Sequence, residues 1–334
     1  MKHCILTAWT GLIISFAMAC LGARLDALHA AQLPPSAAPA PASPSPAIIS
    51  TAKSPAAQPA PETLLIQTAE GVVEMGLEEY ILGVLAAEMP AEFETEALKA
   101  QAVAARTYAL YCARAGKHTQ AQLCTDFGCC QAWKSEQAMG EDWGKSFEKY
   151  RSKLQSAVEA TAGQYLVYGG EPVFAAFHSS SPGRTESSGA IWNALPYLVS
   201  VQSPEDESQV PNFESSLELS PLDFRDTLLH ACPEADFSGE ESAWIGEVSY
   251  EDSGRVDSVL LGGVMYSGTK LRELFALRST AFSLEYTGES FLFTVRGYGH
   301  GVGMSQYGAE VMASQGSDYA AILAHYYPGT VLVG

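Results

Sequence analysis

One glutamate stands out because its surroundings favour acid–base chemistry. Glu88 follows an apolar run at 84–87 and precedes Met89-Pro90, at the predicted end of a helix. Burial disfavours a charged carboxylate, and the negative end of the helix dipole acts in the same direction. A carboxyl group with a raised pKa is what a general acid needs near neutral pH. The alternative is a glutamate that only caps the exposed side of a helix.

A second set of residues has the composition of a metal site. His118, Cys124, Cys129 and Cys130 supply four nitrogen and sulfur donors within thirteen residues. Tetrahedral zinc prefers such donors, and four protein ligands leave no open position, so this metal would be structural. The competing interpretation is a disulfide formed by Cys124, since the adjacent Cys129 and Cys130 are poorly placed to bridge each other.

The periodicity of the chain predicts the elements that must hold these side chains. Residues 64–75 alternate as a strand pair, and the apolar spacing of 77–89 and 95–115 predicts two helices, the second with a face of small residues. The remaining predicted elements are helices over 145–162, 270–276 and 305–314 and strands over 164–177, 243–265 and 283–296. This mixture predicts an α+β fold, in one catalytic unit or in two subdomains.

The first sixty residues have a different character. Residues 4–23 form an apolar run of about the length that spans a bilayer, so residues 1–24 are predicted to be a signal anchor or transmembrane segment. A cleaved signal peptide, with or without lipidation at Cys20, is the alternative. Residues 25–61 are rich in Ala, Pro and Ser and predict a disordered tether. Residues 62–334 then form the folded domain on the outer side of the membrane.

Several function classes are disfavoured by charge and motif. The formal charge of −19 argues against a nucleic-acid partner, whose phosphates demand a basic face. The glycines of 297–303 fail the spacing of a dinucleotide motif in every register, and they suit close approach of backbone to a substrate or a facing strand. A serine nucleophile paired with His178 or His300 lacks the usual elbow motif and an acidic partner.

Five stretches of this chain together resemble the stage II sporulation protein D (SpoIID/LytB) family. They are Gly83–Pro90, Glu96–Ala109, Cys124–Gln131, His178–Ser188 and Gly297–Gln306. The resemblance covers nearly all of residues 62–334. It implies a membrane-anchored lytic transglycosylase that cleaves peptide-stripped peptidoglycan glycan strands. It also implies a place outside the cytoplasm, in the intermembrane space during engulfment of the forespore, beside a cell-wall amidase and other engulfment membrane proteins.

The resemblance implies roles for individual residues. Glu88 matches the acid–base glutamate of the family. One carboxyl group suffices because the C6 hydroxyl of muramic acid can attack and form an anhydro ring, whereas hydrolysis usually needs two carboxylates. Zinc-binding members use two His and two Cys, so Cys129 stands here for a histidine. The predicted substrate-binding residues are Gln101, Arg106, Tyr108, His178, Ser179, Thr185 and His300.

The sequence allows more than one role for Arg106, for His300 and for the domain as a whole. Arg106 could pair with the lactyl carboxylate of muramic acid through its planar fork, or it could form a structural ion pair. His300 could line a cleft or be a buried structural residue. In place of an enzyme, the domain could be a glycan-binding scaffold that recruits or activates an amidase. A metallohydrolase centred on the cysteines is the other alternative.

Overall fold

The computed structural model describes residues 60–334. The predicted membrane segment at residues 1–24 and nearly all of the predicted tether at 25–61 lie outside the described residues, and both stay predictions. Within the described part of the chain, no helix is both long enough and apolar enough to cross a bilayer.

The described residues form fourteen strands and nine α-helices, numbered here in chain order. The strands are β1 (Thr63–Thr68), β2 (Gly71–Gly76), β3 (Leu123–Cys124), β4 (Tyr165–Tyr168), β5 (Glu171–Pro172), β6 (Phe177–His178), β7 (Glu214–Leu219), β8 (Ile245–Tyr250), β9 (Val256–Leu261), β10 (Val264–Ser267), β11 (Phe282–Tyr286), β12 (Phe291–Arg296), β13 (Met304–Ser305) and β14 (Val331–Val333). The helices are α1 (Leu77–Glu88), α2 (Thr95–Ala115), α3 (Glu136–Trp143), α4 (Phe147–Ala160), α5 (Ser188–Ile191), α6 (Pro221–Ala231), α7 (Gly268–Leu274), α8 (Gln306–Ser314) and α9 (Tyr319–Tyr326). The predicted α+β class is confirmed.

The buried apolar side chains form two separate clusters, which we call the first and the second lobe. The first lobe draws on residues 64–198 and 302–327, and the second on residues 224–295. The chain therefore enters the second lobe and returns, and its two crossings meet where the Gly297 N–H donates to the Phe213 carbonyl at 2.9 Å. The returning segment also pairs with the first lobe, since Ser180 forms a β-bridge with Tyr298 and Glu186 forms one with Val302.

Five small sheets serve the two lobes. The strand orders are β2-β1-β3, β14-β4-β5 and β13-β6 in the first lobe and β10-β9-β8 and β11-β12-β7 in the second. β1 and β2 pair antiparallel, with Leu64 opposite Met75. β3 runs parallel to β1 and places Cys124 opposite Gln67. The predicted strand pairs over 64–75 and 164–177 are confirmed by β1–β2 and β4–β5.

The helix α2 lies at the centre of the first lobe. Helices α1, α4, α8 and α9 all pack against it. Its residues Leu98, Ala102, Ala105 and Ala109 are fully buried, and the small alanine side chains let neighbouring helices approach closely. This face confirms the small-residue stripe predicted from the sequence.

Helix α1 ends where the sequence predicts. Ile81, Val84 and Leu85 are fully buried against the core. Met89 has extended backbone angles because Pro90 follows it, and helical angles are disfavoured for the residue before a proline. Glu88 is therefore the last helical residue of α1, and its side chain leaves the helix at the edge of the core.

The predicted third helix differs in detail from the observed one. A 3₁₀ turn at Gly144–Ser146 precedes α4, which begins at Phe147 and not at Lys145. A separate helix, α3, comes before that turn, and its N-cap Ser135 accepts a hydrogen bond from the Ala138 backbone N–H at 3.2 Å. Helices α3, α6 and α9 and strand β7 lie outside the elements predicted from the sequence.

Candidate active site

A cleft of about 520 Å³ lies on the first lobe and is closed on one side by the second. The first lobe contributes the end of α1, one residue of α2, the loop 127–132, the segment 174–178 and residue 192. The other side is formed by Arg272 of α7 together with Gly299 and His300. Both lobes therefore contribute to one groove.

Glu88 is the only acidic residue among the described residues that line this cleft. The Ala132 backbone N–H donates to Glu88 Oε1 at 3.3 Å. Burial raises the pKa of the Glu88 carboxyl, while the Ala132 N–H and the Gln306 side chain lower it to a smaller extent. The predicted direction of the pKa shift is confirmed, and its dominant cause is desolvation.

A close helix–loop contact holds the loop that donates to Glu88. A Cβ atom on Gly83 of α1 would lie 2.0 Å from Nε1 of Trp133, so only glycine fits there. The Gly83 carbonyl also accepts a hydrogen bond from the Lys134 N–H at 3.0 Å. This packing fixes residues 132–134 against α1, and so it positions the Ala132 N–H at the carboxyl group.

Aromatic rings form one wall of the cleft. Tyr108 and Phe174 have ring centroids 5.4 Å apart, Phe174 and Trp192 are 5.5 Å apart, and Trp192 and His300 are 4.9 Å apart. Trp192 keeps 44% of its surface exposed, and Phe127 on the opposite loop keeps 84%. Exposed rings in a groove suit a ligand with apolar faces and polar edges, such as a pyranose. Phe127, Phe174 and Trp192 were not among the cleft residues predicted from the sequence.

His178 and His300 both line the cleft. His178 Nδ1 lies 3.2 Å from the Val302 carbonyl oxygen, which can only accept, so Nδ1 carries the proton and Nε2 accepts from the Ser181 hydroxyl at 2.6 Å. Burial holds the pKa of His178 well below its usual range and lowers that of His300 to about 4. Both imidazoles are therefore neutral at neutral pH.

The His178–Ser181 pair does not form a hydrolase site. Ser181 is fully buried and does not line the cleft. Its hydroxyl oxygen also accepts a hydrogen bond from Arg255 Nη2 at 3.1 Å. A substrate in the cleft has no access to this hydroxyl, so the pair has a structural function.

The segment Gly297–Gly303 packs against a facing strand. A Cβ on Gly299 would lie 2.7 Å from the His178 Cβ, and one on Gly303 would lie 2.0 Å from the Ala176 carbonyl oxygen. Both glycines have positive φ angles, of 111° and 74°. Of the two uses predicted for these glycines, the structure has the close approach to a strand. The same approach brings His300 to the cleft.

The structure brings together three of the seven predicted substrate-binding residues, namely Tyr108, His178 and His300. Gln101 is fully buried and lies outside the cleft lining. The buried Thr185 hydroxyl accepts a hydrogen bond from the Val201 N–H at 2.9 Å, a contact within the protein. Ser179 is half-buried, and its carbonyl accepts from the Tyr307 N–H at 3.0 Å.

Arg106 is paired inside the first lobe and does not line the cleft. Its guanidinium is fully buried and forms a two-pronged pair with Glu78, in which Nε donates to Oε1 at 2.9 Å and Nη2 to Oε2. Nη1 donates to the Gln164 carbonyl at 3.0 Å. Of the two roles open from the sequence, the structural ion pair is the one this geometry satisfies.

Replacement of Arg106 by leucine is therefore expected to affect folding. The free energy of unfolding should fall by about 3 kcal/mol, because the substitution breaks a buried, bidentate pair. Urea unfolding measures this change. Arg114→Leu is the matched control, since its pair with Glu171 is largely exposed and worth at most about 1 kcal/mol. Unchanged stability together with weaker glycan binding would instead support a substrate contact.

The four predicted metal ligands converge. One ligand atom from each of His118, Cys124, Cys129 and Cys130 lies within 4.8 Å of the others. His118 Nε2 is 3.4 Å from Cys130 Sγ and 3.7 Å from Cys129 Sγ. Tetrahedral zinc, with bonds of about 2.0 Å to nitrogen and 2.3 Å to sulfur, requires a nitrogen–sulfur separation of about 3.6 Å. The residues therefore fit a tetrahedral metal ion.

The surroundings of the cluster also suit a metal. All five cysteines in the described residues are free thiols. The Lys117 ammonium donates to the Cys129 carbonyl and lies near these sulfurs, where its charge would offset the excess of three thiolates over a bound dication. Cys129 and Cys130 also line the cleft, so a metal here would hold the loop that carries the Ala132 N–H.

The fold and the site together define a two-lobed α+β protein with one largely buried carboxyl group in its cleft, beside a Cys₃His cluster. A sequence model of the SpoIID family, described as stage II sporulation protein, matches residues 66–168. That span holds Glu88 and all four cluster residues. The chain belongs to the SpoIID family.

Similarity to known proteins extends beyond that span. The chain is 37% identical over 266 residues to the stage II sporulation protein D of Bacillus subtilis (strain 168), covering 78% of this chain and 75% of that protein. It is 37% identical over 263 residues to the stage II sporulation protein D of Bacillus amyloliquefaciens, covering 77% and 74%. It is also 29% identical over 309 residues to the amidase enhancer of Bacillus subtilis (strain 168), covering 75% of this chain and 40% of that protein.

Proposed function

We propose that this protein is a lytic transglycosylase that cuts peptide-stripped peptidoglycan between N-acetylmuramic acid (MurNAc) and N-acetylglucosamine, leaving 1,6-anhydro ends. The observation that carries the proposal is that one carboxyl group stands alone among the described residues of the cleft, in surroundings that favour its protonated form. A glycosidase that activates water usually needs a second carboxylate.

Three other acids that could assist are occupied elsewhere. Glu171 pairs with Arg114 on the surface, and Asp126 Oδ1 accepts from the Gly128 N–H at 2.9 Å. Glu186 is buried, where its carboxylate accepts hydrogen bonds from Ser187 and Ser253. A reaction in which the substrate supplies its own nucleophile agrees with this distribution of acids.

The chemistry follows from the protonation state of Glu88. The protonated carboxyl donates its proton to the glycosidic oxygen as the bond between C1 of MurNAc and that oxygen breaks. The carboxylate then takes the proton of the MurNAc C6 hydroxyl as the oxygen of that hydroxyl bonds to C1. This bond closes the 1,6-anhydro ring. Glu88 ends protonated again, and no water is consumed. His178 and His300 are neutral and cannot act as the general acid, so the proton transfers depend on Glu88.

We also propose zinc as the occupant of the Cys₃His cluster. The donor set and the nitrogen–sulfur separations support it. With four protein ligands the zinc has no open position for a substrate. It would therefore stabilise the loop 127–132, whereas catalysis depends on Glu88.

The biological setting is proposed from the family. Two relatives are named for stage II of sporulation, which supports a role in forespore engulfment. We propose that the N-terminal segment anchors the chain in the cell membrane and that residues 62–334 act outside the cytoplasm, on glycan stripped by an amidase.

The test is digestion of amidase-treated peptidoglycan, followed by mass spectrometry of the released fragments. The expected products are glycan fragments that lack stem peptides and carry 1,6-anhydro ends. Reducing ends without any anhydro product would refute this reaction type. Glycan binding without fragment release, together with faster cleavage by an added amidase, would favour the scaffold function, for which the amidase-enhancer relative is the supporting observation.

Trp192 is expected to contribute to substrate binding. Its exposed ring stands in the aromatic wall, so Trp192→Ala should raise KM for stripped glycan about tenfold while kcat changes little. Steady-state kinetics separate the two constants. Tyr250→Ala removes an exposed ring outside the cleft and is expected to change neither constant. A fall in kcat alone would contradict a role confined to binding.

A further inference from the structure

The cleft contains a single strong cation. Arg272 of α7 is the only Arg or Lys among the described residues that line it. The side chain is half-buried, and its Nε donates to the Leu277 carbonyl at 3.3 Å. Within residues 60–334, no carboxylate forms an ion pair with this guanidinium, and its two terminal nitrogens have no hydrogen-bond partner. An arginine in this state is open to an anionic ligand.

No ion pair holds the guanidinium of Arg272 within the described residues. Desolvation lowers the pKa of Arg272, while the nearby Tyr298 and Glu273 raise it to a smaller extent. Glu88 is held toward its neutral form, and both cleft histidines are neutral. Arg272 is thus a local positive charge in the cleft of a chain with a formal charge of −19.

The position of Arg272 is set by the second lobe. The N-cap Ser267 of α7 accepts a hydrogen bond from the Lys270 N–H at 3.1 Å and begins the helix. The bond from Arg272 to Leu277 then ties the side chain to the turn that follows α7. Glu88, by contrast, comes from the first lobe. A ligand that meets both residues must cross the cleft from one lobe to the other.

We propose that Arg272 binds the free lactyl carboxylate of MurNAc and thereby selects glycan strands whose stem peptides have been removed. This inference rests on the proposed function. A stem peptide converts the lactyl carboxylate into a neutral amide, so only stripped strands present the anion. The planar guanidinium matches a carboxylate with two parallel hydrogen bonds. Arg272 thus fills the role that the sequence suggested for Arg106.

The test compares two substrates that differ in one group. One is the peptide-stripped glycan strand, and the other is the same strand with its lactyl carboxyl groups reduced to alcohols. The wild type should have a KM for the carboxylate strand at least about tenfold lower than for the reduced strand, the effect of one charge-assisted hydrogen-bonded pair. Arg272→Gln should raise KM on the carboxylate strand to that level and leave the reduced strand unaffected.

Two further variants sharpen the comparison. Arg272→Lys keeps the charge without the two-pronged geometry, so it should retain part of the preference. Lys270→Gln removes one positive charge from the same helix outside the cleft and should keep the full preference. Equal losses on both strands in Arg272→Gln, or no preference in the wild type, would overturn the proposal. If Arg272→Gln fails to fold, the Arg272→Lys variant and the wild-type preference still decide it.

Binding separates this proposal from the reaction type. In a Glu88→Gln background, titration calorimetry compares the affinities for the two strands without any turnover. A carboxylate preference that disappears on adding Arg272→Gln supports the proposal even if the wild type releases no fragments, an outcome that would reject only the transglycosylase activity. Fragment release with equal affinities for both strands would reject only the role of Arg272.

Discussion

Glu88→Gln is expected to reduce cleavage of stripped glycan by about a thousandfold, the middle of the range for loss of a general acid–base. Glutamine keeps the size and a hydrogen-bond acceptor for the Ala132 N–H, yet it cannot donate a proton to the glycosidic oxygen. No other acid among the described cleft residues can replace it. Mass spectrometry of timed digests measures the rate of anhydro-end formation.

The control for this variant uses the same chemical change on the same helix. Glu79 of α1 is exposed and does not line the cleft, so Glu79→Gln should cleave at the wild-type rate. Binding of stripped glycan to Glu88→Gln should stay near the wild-type level, because the missing proton matters mainly in the transition state. Full cleavage by Glu88→Gln would remove this residue from the mechanism.

Thermal unfolding shows whether the variant is folded, and its pH dependence has a definite sign. Burial raises the pKa of folded Glu88, so ionisation opposes folding. The contribution of protonated Glu88 to the free energy of unfolding is fully present below the unfolded pKa of about 4.3. It is lost as the pH rises through the folded pKa. Since glutamine cannot ionise, Glu88→Gln should unfold at a higher temperature than the wild type at pH 7. The difference should shrink toward about pH 4.

The long elements of the first lobe could be predicted because their signals are local. α1 and α2 have sustained helical spacing, and Pro90 ends the first of them. β7 is different, since Glu214–Leu219 has few β-branched or aromatic residues and becomes a strand through pairing with β12, about 75 residues later. Short α9 is stabilised by packing on α2, which no local pattern shows.

Two missed features had readable signals. Ser220 caps α6 with Pro221 at its first turn, and Asp318 caps α9 by accepting from the Ala321 N–H at 2.8 Å. A small polar residue before a helix start is a known N-terminal signature, and proline in the first turn strengthens it. Both helices were obscured because their apolar runs are short and their surroundings irregular.

The residues of the site differ in the same way, because some have local sequence signals and others are brought together only by the fold. Glu88 and the proposed metal ligands are local, one at a helix end and the others within a short segment, so residue type and spacing could single them out as candidates. Arg272 reaches the cleft only because the second lobe is inserted between two parts of the first, and Trp192 meets its cleft neighbour His300 only through the fold. Arg106 was ambiguous for a related reason, since its partner Glu78 lies on α1, 28 residues earlier.

The second large effect is expected at the Cys₃His cluster. Removing the metal with a chelator should lower the unfolding free energy by about 4 kcal/mol, the stabilisation given by a ligand present at a thousand times its Kd. For a domain of this size, that corresponds to a fall in Tm of about 10 °C. Metal analysis of the purified protein together with calorimetric scans measures both quantities.

Variants locate the effect at the cluster. Cys124→Ser should lower Tm to about the value of the chelated wild type, and the chelator should then change it little further. Cys232→Ser alters a half-buried thiol in the second lobe, outside the cluster, so the chelator should destabilise this variant as much as the wild type. Destabilisation by a reducing agent, with no response to chelator, would instead indicate a disulfide at Cys124.

The same experiment decides whether the metal takes part in the chemistry. A structural ion holds the loop 127–132, and through it the Ala132 N–H that meets Glu88, so cleavage should be lost in parallel with the folded loop. A catalytic ion would be needed even where the fold survives. A chelated protein with unchanged Tm and no activity would therefore make the cluster the reaction centre. If Tm and activity fall in parallel and zinc restores both, Glu88 carries out the proton transfers. The metal then positions the Ala132 N–H, which is the hydrogen-bond donor to Glu88.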